Sequence, residues 1–324
     1  KAAEDIFGTV LCTPGCFTLV SMFAMQYPVD KVRHDEGSIP QPRELFNPEE
    51  DDDLAAIRYC KSCESGVDVL MYDQGEDRLM GTFLVENGWK LSYVSAAHAY
   101  THCPEDIFVF FNQRRRWIVS TFANIVYLLS RATVICSKNR CVSMPFILYI
   151  FTLLVAALLS PITVIIVFIG GFQYAYGLSL GTSVIISILP ALLYMLVCIY
   201  NGIDTSDPSA VKSQKTRRQV EIAVWINYAL IIMMALSFFG VFATMYKHPL
   251  RMDSVYLLLL VGLYLLAGIL HGEFFTLACG VVYLGLIPLM YMLLIMYAFN
   301  NLTDQSWGTR DSSAESAGAV DDEP

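Results

Sequence analysis

Two short stretches hold side chains that could act on one another. Gly75-Glu76-Asp77-Arg78 carries adjacent carboxylates, one of which can serve as a base. Gln113-Arg114-Arg115-Arg116-Trp117 carries three fixed cations between an amide and an aromatic ring. A base takes the proton of an attacking hydroxyl. Cations hold a departing diphosphate, and a flat ring offers an apolar face to a sugar. The set suits transfer of a sugar from a nucleotide diphosphate onto a hydroxyl. Its place just ahead of a long apolar block puts that chemistry beside a bilayer.

The local pattern predicts the elements that hold these motifs. Val67 to Met71 reads as a short strand that delivers Gly75 to Arg78 at its end. Leu79, Met80, Phe83 and Leu84 then repeat at helical spacing until Gly88, a natural stop. Asp77 would stand in the positive first turn of that helix, which favours its ionised form. Trp89 to Val94 alternates like a strand. Thr101 to Glu105 forms the next loop, where Pro104 suits a helix start. The helix that follows carries Gln113 to Trp117 and continues apolar through Ile125, Leu128 and Leu129. Its mixed face predicts that it lies along the bilayer surface. Three arginines alone would also suit a lipid-headgroup anchor; the neighbouring amide, the ring and the upstream Asp77 favour the chemical role.

Of the 324 residues, 55% are hydrophobic and 16% charged, against roughly 25% charged in an ordinary soluble domain. Residues 141–203 contain no Asp, Glu, Lys or Arg, a run long enough for two spans of ~20 residues. The spans predicted are 144–169, 176–200, 222–246, 254–270 and 274–299, with Gly170-Gly171 breaking the first long run. Lys212, Lys215, Arg217 and Arg218 fall in a predicted loop from Asn201 to Glu221, which the positive-inside rule puts in the cytoplasm. Two spans separate that loop from the charged N-terminal half, which is then cytoplasmic too. Whether both last segments cross, and on which side the chain emerges after Asn300, stays open. Glu273 reads as a loop residue near a membrane boundary, and Pro161, Pro190 and Pro288 lie within spans. The net charge of −9 argues against nucleic-acid binding. Nine cysteines scattered over both halves read as free thiols. Cys60-Lys-Ser-Cys63 has a metal-like spacing, but no second pair accompanies it. The chain opens on Lys1, so the numbering is expected to start inside a longer protein.

Ile6 to Leu11 reads as a buried strand running into a turn at Pro14-Gly15. Residues from Tyr27 to Asp53 are rich in Pro, Asp and Glu and read as a solvated loop. Gly75 to Arg78, Thr101-His102-Cys103-Pro104-Glu105, Gln113 to Trp117 and Ser306-Trp307-Gly308-Thr309-Arg310 resemble the motifs of animal-type chitin synthase, in family order. Cys12-Thr13-Pro14-Gly15-Cys16-Phe17 fits the same family. The resemblance covers nearly the whole chain. It implies an α/β fold, part of a glycosyltransferase A-type domain, followed by an all-α transmembrane bundle of about five helices. Residues 1–104 would be the C-terminal part of the cytoplasmic transferase domain, 105–140 an interfacial helix region, 141–303 the membrane block, and 304–324 the terminal motif with a disordered acidic tail.

The resemblance further implies a processive inverting hexosyltransferase that uses UDP-N-acetylglucosamine and a divalent cation, Mg or Mn. It would pass the growing chitin chain through its own membrane channel, with an oligomer left open and the plasma membrane as its site. Asp77 would be the general base, positioned by Glu76 and Arg78. Gln113, Arg115 or Arg116 would hold the diphosphate and the acceptor end, and Trp117 would stack on the terminal sugar. Cys16 would be a pocket wall or part of a simple turn. Trp307 and Arg310 belong to the C-terminal signature. Two departures stand out. Leu79 occupies a position where the family usually has an aromatic residue. The family's Asp-x-Asp metal motif lies upstream of the Pro-Gly-Cys turn, whereas Asp51-Asp52-Asp53 lies downstream, so no metal ligands are expected here. The chain alone is then expected to be inactive. A hyaluronan- or cellulose-type synthase shares the base and the Gln-x-x-Arg-Trp logic, and a non-catalytic membrane paralogue is the other class.

Overall fold

The computed structural model describes residues 7, 9–10, 17–26, 54–94, 96–203, 207–247, 252–272 and 274–304. Two compact units divide the chain, residues 1–156 with 305–324, and residues 157–304. All regular secondary structure among the described residues is helical.

The first unit holds α1 (Met22–Gln26), α2 (Ala55–Tyr59), α3 (Gly66–Asp68, continued by a π-helical turn Val69–Asp73), α4 (Glu76–Glu86), α5 (Ile107–Ser130) and α6 (Ala132–Lys138). Leu79, Phe83 and Leu84 of α4 enter a core with Met71, Leu91, Leu128, Ile135 and Phe146. The helix ends where the sequence predicts. Gly88 adopts φ 89°, Trp89 N–H donates to Leu84 C=O at 2.9 Å and Gly88 N–H to Val85 C=O at 3.1 Å. That is a Schellman terminus, which only a residue tolerant of the left-handed region completes cheaply. Asn139 Nδ2 seals it by donating to Val85 C=O at 2.8 Å and Trp89 C=O at 3.0 Å. The Asp106 carboxylate caps α5 by accepting from Phe108 N–H at 3.0 Å.

Two predicted strands are absent. Val67 to Met71 is helical because Ser65 and Asp68 form a capping box. Asp68 Oδ2 accepts from Ser65 N–H at 2.8 Å, and Asp68 N–H donates back to Ser65 Oγ at 3.2 Å. A Ser-x-x-Asp start thus outweighs the strand propensity of a short apolar run. The Ser65 hydroxyl and amide hold the Asp68 carboxyl below its usual range. Trp89 to Val94 forms no ladder. Leu91 exchanges bonds with Thr9 and Val10, while Tyr93 and Val94 are exposed. Of the predicted strand Ile6 to Leu11 only residues 7, 9 and 10 are described, and Phe7 stacks on Tyr149 at 4.8 Å. The Pro14-Gly15 turn, the loop from Tyr27 with Asp51-Asp52-Asp53, Glu273 and the tail after Arg310 lie outside the described residues.

The second unit is built from α7 (Met144–Tyr176), which begins in the first, α8 (Leu180–Tyr200), α9 (Ser209–Lys247), α10 (Met252–His271), α11 (Phe274–Pro288, continued by a π-helical turn Leu289–Leu293) and α12 (Leu294–Asn300). Four helices among the described residues are long and apolar enough to cross a membrane, and a fifth span results if the α5–α6 pair, bent by 65°, counts as one. The break expected at Gly170-Gly171 does not occur; α7 runs through it. A Cβ on Gly171 would sit 2.5 Å from Ser237 Cβ, and one on Gly240 1.9 Å from Ala175 Cβ. The glycines therefore let α7 and α9 approach, as small residues do between membrane helices. The basic cluster is not in a loop either: α9 starts at Ser209 and carries Lys212, Lys215, Arg217 and Arg218 in its opening turns.

One end of this unit is closed by amides. Gln219, fully buried, donates from Nε2 to Asn201 C=O at 2.6 Å, and Asn301 Nδ2 donates to Gln219 Oε1 at 2.7 Å. Thr303 Oγ1 donates to Ile203 C=O at 3.0 Å. Lys215 Nζ donates to Asp207 Oδ2 at 2.6 Å and to Gly202 C=O at 3.0 Å. The C-terminus of α8, the N-terminal part of α9 and the C-terminus of α12 thus meet at one level.

Candidate active site

Asp77 stands in the first turn of α4, as the spacing predicts, with Glu76 beside it. Its Oδ1 accepts from Arg78 N–H at 2.8 Å, which holds the carboxylate at the helix start. Gly75, just before the helix, is where α4 meets α5. A Cβ at Gly75 would lie 2.5 Å from Ser120 Cβ and 3.1 Å from Asn124 Nδ2. No other residue permits that approach without movement. The acidic turn is therefore seated on α5 one helical turn beyond Trp117.

The buried stripe of α5 reads Arg116, Ser120, Asn124, Leu128 at four-residue spacing, so Arg116 lies on the face that receives Gly75. Arg115, with Phe111 and Val119, occupies the adjoining buried stripe. Arg115 is 1% exposed and Arg116 7%, whereas Trp117 is 42% exposed. Gln113 and Arg114 are half-buried. The five residues of the motif thus divide: two cations turn into the unit, and the ring turns out.

Tyr59, from α2, belongs to the same neighbourhood. Burial raises its phenol above the usual tyrosine range, and the Glu76 carboxylate, then Cys60 and Asp77, add to the rise. At the far end of α4, Arg58 Nη2 pairs with Glu86 Oε2 at 2.9 Å and donates to the Tyr127 hydroxyl. Its guanidinium lies 4.1 Å from the Phe83 ring centroid, and Arg131 lies 3.6 Å from Glu86 Oε1. This cluster ties α2, α4 and α5 together at the C-terminal end of α4. Beside it, Arg78, Thr82, Thr121 and Asn124 line a cavity of ≈ 20 Å³.

The structure thus places Gly75, which precedes Glu76, Asp77 and Arg78, against Ser120 and Asn124 of the helix that carries Gln113, Arg115, Arg116 and Trp117. Cys16, Trp307 and Arg310 lie outside the described residues. Sequence reasoning missed Tyr59, Ser120 and Asn124. The last two were signalled by their places at i+4 and i+8 from Arg116, in line along one face of the helix. Tyr59 carried no signal. Among the described residues no group of three or more His, Cys, Asp or Glu is placed to hold a metal ion.

The sequence profile of one family, described as chitin synthase, matches residues 1–254. Chitin synthase chs-2 of Caenorhabditis elegans is 31% identical over 313 residues, 96% of this chain and 16% of the relative. The chitin synthase of Meloidogyne artiellia is 30% identical over 323 residues, 99% of this chain and 15% of the relative. Chitin synthase csmA of Aspergillus niger is 34% identical over 172 residues, 51% of this chain and 9% of the relative. The chain therefore spans about a sixth of the length of the two nematode proteins.

Proposed function

This chain belongs to the chitin synthase family, and on that premise we propose that it forms the acceptor side of the catalytic domain and the membrane bundle of a processive, inverting transferase. The donor is UDP-N-acetylglucosamine and the acceptor is the end of a growing chitin chain. The single observation that carries this is the contact of Gly75 with Ser120, which seats the acidic turn on the arginine-tryptophan helix. The acceptor hydroxyl oxygen attacks C1 of the donor sugar while the bond from C1 to the diphosphate oxygen breaks. Asp77 takes the hydroxyl proton, with Glu76 and Arg78 holding its turn. The diphosphate leaves with the bonding electron pair, against Gln113 and the cations. Arg116 suits that role better than Arg115, because it shares the stripe that receives Gly75. Trp117, exposed on the same helix, is the surface for the terminal sugar.

The divalent cation that the family uses would lower the charge on the diphosphate. The described residues offer it no cluster of ligands, and the steps above run through side chains of this chain alone. The rest of the transferase domain, with its sheet and its nucleotide pocket, belongs to the complete protein.

The basic opening of α9 favours the cytoplasmic side. The two spans α7 and α8 return the chain to the side from which α7 departs, so the catalytic motifs are cytoplasmic and the polymer leaves outward. The plasma membrane suits that export, with α5 lying along its inner face. The link between Gln219 and Asn301 supports an exit after Asp304 on the cytoplasmic side as well.

In the complete protein, Asp77→Asn is expected to leave UDP-sugar binding nearly intact and to lower polymer synthesis by roughly 10²–10⁴-fold. Incorporation of labelled N-acetylglucosamine at the wild-type rate would overturn the assignment.

A further inference from the structure

Phe110, Arg114 and Trp117 follow one another along a single face of α5 at spacings of four and three. The Arg114 guanidinium carbon lies 5.2 Å from the Phe110 ring centroid and 4.5 Å from that of Trp117. It is thus held between two rings of its own helix. Its Nε is enclosed and makes no hydrogen bond among the described residues. The faces of the two rings flank this cation.

For the indole, the consequence is orientation. A tryptophan 42% exposed on a helix has staggered alternatives that differ little in energy. A guanidinium stacked on one face biases it toward a single one, and such contacts are worth about 0.5–2 kcal/mol. One face of Trp117 is occupied by Arg114, which leaves the other to meet a ligand. The carbonyl of Trp117 also accepts from the hydroxyls of Ser120 and Thr121, and Ser120 is the residue that Gly75 touches. The stack therefore sits one turn from the contact that sets Asp77.

We propose that Arg114 is the positioning residue of Trp117, fixing through the Phe110–Arg114–Trp117 stack which face of the indole receives the acceptor sugar. This rests on the reading of Trp117 as the acceptor surface. It divides the arginines by role: Arg116 beside the acidic turn, Arg115 inside the unit, and Arg114 spent on the ring. Arg114 makes no contact with the departing diphosphate on this account.

The test is a double-mutant cycle in the complete protein, in membranes matched for protein level. Its probes are UDP-N-acetylglucosamine as donor and a short N-acetylglucosamine oligomer as acceptor. Arg114→Met keeps the apolar stem and removes the charge. It is expected to lower elongation about tenfold, to raise the KM for the oligomer, and to leave the KM for the donor where it was; tenfold corresponds to about 1.4 kcal/mol. Arg114→Lys, which keeps a cation over the ring, should recover part of the loss and remains informative if the Met variant is missing from the membrane. On a Trp117→Leu background, Arg114→Met should cost nothing further, because there is no indole left to orient. Additive losses, or a raised donor KM, would overturn the proposal and give Arg114 its own contact with substrate. Wild-type elongation by Arg114→Met with a defective Trp117→Leu would also overturn it, while leaving the acceptor surface standing. Wild-type elongation by Trp117→Leu would remove both.

Discussion

The two units bury polar side chains in different ways. In the first, three charged groups, Glu86, Arg115 and Arg116, are buried among neutral ones such as Gln74, Ser120, Asn124 and Asn139, and Arg58 pairs with Glu86 behind α4. In the second, nearly all are neutral, with Ser183 and Ser187 on α8, Gln219, Asn227 and Ser237 on α9, and Asn301 after α12; among the described residues the one buried acid, Asp304, lies past the end of α12 rather than within a helix. A charge inside an apolar bundle is costly enough that membrane segments keep it only for work. An amide or hydroxyl can be satisfied by a neighbouring helix. The contrast teaches where chemistry and where registration lie. Buried charge gathers in the unit that carries the acidic turn and the arginine-tryptophan helix, and in the other unit neutral amides fix the level at which helices meet.

The sharpest break of that contrast is expected at Gly75. Gly75→Ala drives a methyl group into Ser120 Cβ and must push the start of α4 off α5. A displacement near 1 Å at reacting groups costs on the order of 10²-fold in rate. Chitin synthesis by the complete protein should fall by about that factor, and Ser120→Gly in the same molecule should restore part of it. No rescue, or no loss, would mean that the close contact does not set Asp77. A comparable effect, on stability instead of rate, is expected at the opposite end of the helix. Glu86→Ala leaves Arg58 without its ion-pair partner in a largely buried place. Thermal unfolding followed in detergent should show a loss of roughly 3 kcal/mol, the low end of the range for breaking a buried pair. An unchanged unfolding temperature would show that Tyr127 and the Phe83 ring suffice to hold Arg58.

Why one unit was legible and the other less so follows from the spacing of its contacts. Asp77 at a helix start, Gly88 as the stop and the helix through Trp117 were all readable, because each depends on residues within a turn or two. Val67 to Met71 misled because its apolar run outweighed the Ser65–Asp68 box next to it. Gly170-Gly171 misled because glycine in a membrane helix serves close packing as well as breaking. Leu79 departs from the aromatic residue expected there, and its full burial shows that this position packs the core. The closure of Asn201, Gln219 and Asn301 joins residues up to 100 positions apart, and no local pattern announces it. Nor could the sequence decide whether the last apolar segments return the chain, or announce that an amide pair joins the end of α12 to the opening of α9.

Within the bundle, Gln219→Leu tests registration without touching charge. It deprives the Asn301 amide of its acceptor and the Asn201 carbonyl of its donor. Hydrogen bonds between membrane helices are worth roughly 1–2 kcal/mol at most, so the loss should be smaller than that of Glu86→Ala. Differential scanning in detergent should show a modest fall, and Gln219→Asn, which keeps an amide on a shorter stem, should fall less. A larger loss than Glu86→Ala would reverse the comparison, making the neutral closure the stronger tie.

The smallest expected effect is a difference of nothing between two labels. An epitope tag inserted after Ser206 lies just ahead of the basic start of α9, and one inserted after Ser312 follows the end of α12. Asn301 bonds to Gln219 at 2.7 Å, so the opening of α9 and the end of α12 lie at the same end of the bundle. The number of crossings between Gln219 and Asn301 must then be even. With α9 as one span and α11 through α12 as the other, α10 adds no net crossing. Both tags should reach antibody only after cells are permeabilised, and to the same extent. Staining of the second tag on intact cells, with the first still hidden, would mean that α10 crosses and that the amide pair does not persist in the bilayer. Staining of both on intact cells would instead reverse the orientation drawn from the basic cluster, and with it the cytoplasmic place of Asp77.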